Sequence, residues 1–257
     1  MTAADTSDLP PRLTRLTFHG PMSEARVERM IGRLAGPSPV TVVDIGCGWG
    51  EMMLRMLDAV PGATARGIDI NAEDLARGRA DAEARGLAGR AEFVEMDAKK
   101  AADTPADVVL CLGSSQALIE EDTTEPVVDA LRALRRMVNP GGRVLLGEGY
   151  FERPPTDEEL AVMWPGASRD DHTDLATLVD LAVEAGFRPV WIETASQEEW
   201  EEFESGYQSD TEEWLANHPG HPLAEQTRER LDKHRTSWLR GYRNVLGIAY
   251  LTLVPVA

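Results

Sequence analysis

The chain has 257 residues and a formal net charge of −18, from 44 acidic against 26 basic side chains. That length can bury a large core as one α/β domain, and so acidic a surface argues against DNA or RNA as partner, because phosphate binding relies on clustered basic groups. No stretch is apolar for long enough to span a membrane, Met1 to Pro11 lacks a signal-like apolar run, and the two cysteines, Cys47 and Cys111, are expected as reduced core thiols of a cytoplasmic protein.

Residues 1–15 read as a flexible lead, within an N-terminal segment of 1–21 that precedes the first helix. Ser23 is placed to cap a helix of about 13 residues with Val27, Met30, Ile31 and Leu34 on one face, ended by Gly36-Pro37. Val40 to Ile45 reads as strand one, and a helix rich in Met and Leu follows a glycine loop. Strand two ends at Gly67-Ile68-Asp69, a helix covers about Ala72 to Arg85, and strand three lies over 91–95. Asp107 to Leu112 is a continuous apolar run, as expected of a strand covered on both faces. A helix from about Glu125 to Val138 stops at the breakers Asn139-Pro140-Gly141-Gly142, and strand five is Arg143 to Gly147. Asp174 to Ala185 predicts a helix and Arg188 to Glu193 a sixth strand. The stretch 195–243 predicts two helical segments broken around Asn217-His218-Pro219-Gly220-His221-Pro222, before a closing strand from Leu246 to Val254. This alternation implies a largely parallel sheet with right-handed crossovers and helices on both faces.

The segment Asp44-Ile45-Gly46-Cys47-Gly48-Trp49-Gly50 carries the most chemistry. Glycine permits positive φ and close approach of backbone to a ligand. A helix starting at the loop points its free N–H groups at whatever sits there. Nucleotide-like ligands bind at this kind of strand–loop–helix crevice. A dinucleotide fingerprint would need glycine at position 51, which is Glu51, and this weakens a nicotinamide oxidoreductase reading. Asp69 lies 19 positions beyond Gly50 (69 − 50), where Rossmann-like folds place the acid that holds ribose hydroxyls. Asp97-Ala98 follows strand three. A helix cap or a solvated turn is the alternative for each of these acids.

The pattern D-x-G-x-G-x-G, with Asp69 and Asp97 in order behind it, resembles motif I and its partners in class I S-adenosylmethionine-dependent methyltransferases. The resemblance extends as architecture from strand one to the closing strand. It implies a single domain over 1–257, with a Rossmann-like seven-stranded sheet whose last strand is antiparallel and inserted between the fifth and sixth, and a helical cap, 195–243, before that last strand. It implies S-adenosylmethionine as cofactor, with S-adenosylhomocysteine as product. Asp44, Gly46, Cys47, Gly48, Gly50, Asp69, Ile70, Asp97, Ala98, Leu112 and Gly113 would hold it, Asp97 accepting the adenine amino group. The run Gly147 to Pro155 looks like a small-molecule branch of bacterial methyltransferases.

Methyl transfer from a sulfonium needs alignment and exclusion of water more than a metal. The five histidines lack zinc-ligand spacing with the cysteines, so no metal is expected. The methyl group should lie near the end of strand four, where Ser114, Ser115 and Gln116 are polar groups able to orient a substrate or, alternatively, to cap a helix. Glu148 and Tyr150 follow strand five, and Glu148 is a candidate base if burial raises its pKa, or else an ion-pair partner. In the cap, Trp200, Phe203, Tyr207 and Trp214 form an aromatic stripe among the acids Glu198, Glu199, Glu201, Glu202 and Glu204. Core packing is the alternative for the stripe and solvation for most of the acids. Phe18 and His19 are expected to close the opposite side, with His19 and Tyr207 joining Glu148 as candidate catalytic groups. Aromatics with carboxylates favour an amine or an electron-rich, indole-like aromatic acceptor for N- or C-methylation in specialised metabolism. The alternatives are O-methylation of a small hydroxyl or carboxyl acceptor, or a non-catalytic cofactor-binding module. Oligomeric state is not legible.

Overall fold

The computed structural model describes residues 9–35, 40–101, 105–120 and 122–256. The expected stop at Gly36-Pro37 lies outside the described residues. Seven strands form one sheet: β1 (Thr41–Ile45), β2 (Thr64–Asp69), β3 (Ala91–Glu95), β4 (Ala106–Leu112), β5 (Val138–Phe151), β6 (Phe187–Thr194) and β7 (Leu246–Pro255). Their order is β3-β2-β1-β4-β5-β7-β6. β1 to β5 pair in parallel, and β7 pairs antiparallel with both β5 and β6. The order reverses between β1 and β4, and that reversal opens a crevice at the C-terminal ends of the strands.

The helices are α1 (Glu24–Leu34), α2 (Glu51–Ala59), α3 (Ala72–Ala84), α4 (Pro126–Met137), a single turn α5 (Asp157–Leu160), α6 (Leu175–Glu184), α7 (Gln197–Asn217) and α8 (Ala224–Thr236), which runs into a π-helical turn over Ser237–Tyr242. Alternation along each strand divides the core in two. Leu145 faces a cluster with Met30, Leu34, Met53, Leu57 and Leu75 from α1 to α3. Leu146 faces a cluster with Leu131, Leu134, Leu178 and Ala182 from α4 and α6. Ser23 caps α1 by accepting from Arg26 N, as its sequence position predicts.

Two local expectations are corrected. The helix stops just before Asn139-Pro140-Gly141-Gly142, as expected, but these residues lie inside strand five and not ahead of it. α4 ends at Met137 and β5 begins at Val138, which pairs with Ala106 before a register shift. Gly141 takes φ +79° in that shift, and a Cβ on Gly142 would sit 2.6 Å from the Asp107 carbonyl oxygen, so the glycines form a bulge inside the strand. β5 also continues past Gly147 to Phe151, because β7 pairs with it along that length. Glu148 and Tyr150 are therefore strand residues and do not lie beyond a strand.

The lead expected over residues 1–15 is, from Leu9 onward, a packed strap. Leu13 and Leu16 are buried with Trp49. Arg77 donates to the carbonyls of Leu13 and Leu16, Arg12 forks onto Asp74, and Thr14 donates through N and Oγ1 to Asp210. Side chains of α3 and α7 thus satisfy the backbone of a segment that has no secondary structure of its own.

Candidate active site at the switch point

The loop after β1 gives each glycine a separate task. Gly46, Gly48 and Gly50 all have positive φ, of 61°, 55° and 71°. A Cβ on Gly46 would lie 2.3 Å from Ser114 Cβ, and one on Gly50 would lie 2.7 Å from the Phe93 ring, so these two permit packing of the sheet and of α2. A Cβ on Gly48 would meet only His19 Nδ1, at 3.2 Å, and one on Gly113 would meet nothing within 4 Å. Gly113 is thus the position where backbone faces open space, and Gly48 faces only the ring of His19.

Asp44 is 3% exposed and lines a cavity of about 40 Å³ with Gly46, Cys47, Trp49, Leu112 and the strap residue Phe18. Burial, and then the nearby Asp69 carboxylate, push the Asp44 carboxyl up to about 8. Asp69 accepts from Gly48 N at 2.8 Å and from Asn71 N at 2.8 Å, tying the loop to the start of α3. Ile70, next in line, is 76% exposed at the rim. Asp97 is half-buried and accepts from Lys99 N, the helix-cap role given above as its alternative, while Ala98 is buried. Cys47 Sγ contacts the Gly48 carbonyl, and burial drives its thiol pKa far up, so it is an inert lining group.

At the end of β4 the serines are already engaged. Ser114 Oγ donates to the Ile45 carbonyl at 2.5 Å, pinning β4 to β1, and Ser115 is bonded to Glu148. Gln116 is exposed. Burial raises the Glu148 pKa, as expected, with the Ser115 bond partly opposing it. Glu148 shares the parity of Leu146 and so faces the α4–α6 side of the sheet. Tyr150 is buried in that same core.

His19 and Tyr207 lie above the opposite face. His19 stacks on Trp49 at 4.6 Å between centroids, and burial lowers its pKa. Tyr207 packs against Trp49 and Leu16 and stacks on His234 at 4.6 Å. The structure thus brings His19 and Tyr207 to one cavity of about 530 Å³ and leaves Glu148 on the other face. Phe18 and His19 stand on the cap side, where they had been expected opposite it. Phe18 borders a second cavity, of about 550 Å³, with Met22, Glu198, Glu202 and Phe203. The aromatic stripe is divided: Trp200 and Phe203 pack on the main core, whereas Trp214 forms a satellite with Leu215, Ala224 and Leu231.

Comparison with known proteins places this geometry. A family model described as a methyltransferase domain matches residues 42–142, which span β1, the glycine loop and the start of β5. The crystal structure of a SAM-dependent methyltransferase from Geobacter sulfurreducens in complex with S-adenosyl-L-homocysteine superposes with a TM-score of 0.80, at 26% identity, covering 95% of this chain and 98% of that one. Residues 42–142 form a methyltransferase domain, and the fold around them is that of the class I S-adenosylmethionine-dependent methyltransferases. It is also 27% identical over 239 residues to the uncharacterized protein YjhP of Escherichia coli (strain K12), covering 92% of this chain and 93% of that one. To the C-methyltransferase UbiE of Ectopseudomonas mendocina (strain ymp), of ubiquinone/menaquinone biosynthesis, it is 34% identical over 133 residues, about half of each chain (49% and 48%).

Around this site, sequence reasoning missed His234, Tyr242 and Arg230. His234 Nε2 donates to Glu204 Oε2 at 2.8 Å, and Tyr242 Oη donates to Glu204 Oε1 at 2.7 Å. Glu204 is 2% exposed, so the most buried carboxylate of the 195–243 segment is engaged within that segment. Glu199 and Glu201 are likewise paired, with Arg26 and Arg243. No motif marks these partners; α7, α8 and the π-helical turn meet only in three dimensions. Among the described residues no cluster has the makings of a metal site, and no helix is long and apolar enough to cross a membrane.

Proposed function

We propose that the crevice over Gly48, Asp44 and Asp69 holds S-adenosylmethionine and that the chain transfers its methyl group to a small-molecule acceptor. The observation that carries this is Asp44. It is a buried carboxyl with no hydrogen bond among the described residues, lining a cavity with Gly46, and a cation or a set of hydrogen-bond donors brought by a ligand would favour its ionised form there. The bound donor presents an ammonium, a sulfonium and ribose hydroxyls, and its sulfonium activates the methyl group. Asp44 fits the positive charge, Asp69 the hydroxyls, Ile70 and Ala98 the adenine faces with Asp97 at its edge, and Gly48, Gly113, Cys47 and Leu112 the close backbone and apolar contacts. Trp49, His19 and Phe18 exclude water from above. The geometry that aligns an acceptor is then supplied by the 195–243 segment as a cap, and alignment of this kind is worth roughly 7–11 kcal/mol of barrier in favourable cases.

For the acceptor, an electron-rich aromatic suits the rings of Phe203, Tyr207 and His19. Of the carboxylates behind the amine half of the expectation, Glu199, Glu201 and Glu204 have partners of their own, whereas Glu198 and Glu202 line the second cavity with Phe18 and Phe203 and keep an amine as the other acceptor class. With Glu148 on the far face, Tyr207 and His19 are the candidate groups that touch the acceptor. Calorimetric titration of S-adenosylhomocysteine tests the donor site. Affinity should rise by up to about tenfold per pH unit from 6 to 8 as Asp44 gives up its proton, then level off. A flat profile, or one unchanged in Asp44→Asn, contradicts the assignment.

A further inference from the structure

The cavity of about 530 Å³ beside the glycine loop is lined by basic and not by acidic side chains, in a chain of net charge −18. It shares His19 with the small cavity over Asp44. Arg12, His19, Arg230 and His234 line it together with Tyr207 and Leu231, and among the described residues no aspartate or glutamate does. The volume suits a molecule with one or two rings. Its four basic groups are not equivalent. Arg12 has both Nη atoms on Asp74, at 2.7 and 3.3 Å. His234 spends Nε2 on Glu204, which fixes the ring and its stack on Tyr207. Arg230, one helical turn before His234 on α8, has no hydrogen bond or ion pair among the described residues. Its neighbour Arg228 instead pairs with Glu225, away from the cavity.

An unpaired guanidinium over a ring-sized cavity, in a protein with a large excess of acids, is placed to receive an anion from outside. A guanidinium fork matches a carboxylate bidentately. We propose that this cavity is the acceptor site and that the acceptor is an aromatic acid. Its carboxylate is held by Arg230, and its ring lies against Tyr207 and the His19 side, facing the donor crevice. This rests on the methyltransferase reading above and adds the charge of the substrate to it. It also explains how an acidic protein accepts an anion, since Arg230 is the guanidinium at the cavity that no carboxylate among the described residues neutralises, and the field there follows from it and not from the net charge.

The test is calorimetry on the S-adenosylhomocysteine-loaded protein with indole-3-acetate and 4-hydroxyphenylacetate, each against its primary amide. The carboxylates should bind about tenfold or more tightly than the amides, the scale of a hydrogen bond to a charged group. Arg230→Gln should bring the two within about twofold, Arg230→Lys should retain part of the preference, and Arg228→Gln should leave it intact. Arg230 is exposed, so melting temperature and S-adenosylhomocysteine affinity should hold in every variant. Equal binding of acids and amides by the wild type overturns the proposal, as does a preference that survives Arg230→Gln, or no binding of either ring series. Failure of S-adenosylhomocysteine itself to bind overturns the underlying donor-site reading, and this inference with it.

Discussion

Asp44 sets the pH behaviour of the ligand-free protein. Its carboxyl is raised from 3.8 to about 8, so the fold favours the neutral form. Between those values the native state binds a proton that the unfolded chain releases, and stability falls as pH rises. The contribution is complete below about pH 4 and gone above about pH 8. Asp44→Asn cannot ionise, so its melting temperature should exceed that of the wild type at pH 9 and match it more closely at pH 5, while S-adenosylhomocysteine affinity drops. Scanning calorimetry at the two pH values checks this, and parallel pH slopes for both proteins would contradict it. Asp69 has a mixed role. Asp69→Ala should weaken S-adenosylhomocysteine binding by about 1.5–3 kcal/mol, the range for hydrogen bonds to a charged group. It should also lower the melting temperature, because the Gly48 and Asn71 amides lose their acceptor. An unchanged dissociation constant would place the ribose carboxylate elsewhere.

Among the elements, α1 and α7 are joined by a buried ion pair. Arg26 donates to both oxygens of Glu199, at 2.7 Å each, and Ser23 adds two more bonds to the same carboxylate. These partners overcome the cost of burying Glu199 and hold its pKa down at about 2. A depressed carboxylate contributes stability above its unfolded value near 4.5 that is lost as pH falls toward 2. Arg26→Met strands the charge and should cost roughly 3–5 kcal/mol in urea unfolding. It should also flatten the acid limb between pH 4.5 and 2; a loss under 1 kcal/mol would mean water reaches the pair. The ends of these elements show what a sequence reveals. Ser23, Gly50 and the apolar run of β4 act through their own chain neighbours, so the strands and helices around them were legible. The strap was not legible, because its backbone is satisfied by Arg77 and Asp210 from distant segments. The bulge at Gly141-Gly142 was misread because a helix stop and a strand bulge use the same residues.

At the scale of the molecule, the parallel half of the sheet carries the glycine loop and its acids at the strand order's reversal, and the antiparallel β7 returns the chain from the 195–243 helices to the sheet, between β5 and β6. The donor side was legible because each acid follows its own strand. Of the cavity proposed for the acceptor, His19 and Tyr207 were singled out from the sequence, but Arg230 and His234 were not, since the strap, α7 and α8 are united there only by packing. The central claim is that the ligand rests on the backbone at Gly48, the one loop glycine whose added Cβ would meet no packed core side chain or backbone, only the ring of His19 at 3.2 Å. Titration of S-adenosylhomocysteine into the wild type and Gly48→Ala tests it most directly. The wild type should show one saturable site, and the folded variant a loss of about tenfold or more, since a Cβ would occupy the place of the ligand. Near-equal affinity in a folded Gly48→Ala protein would contradict the account.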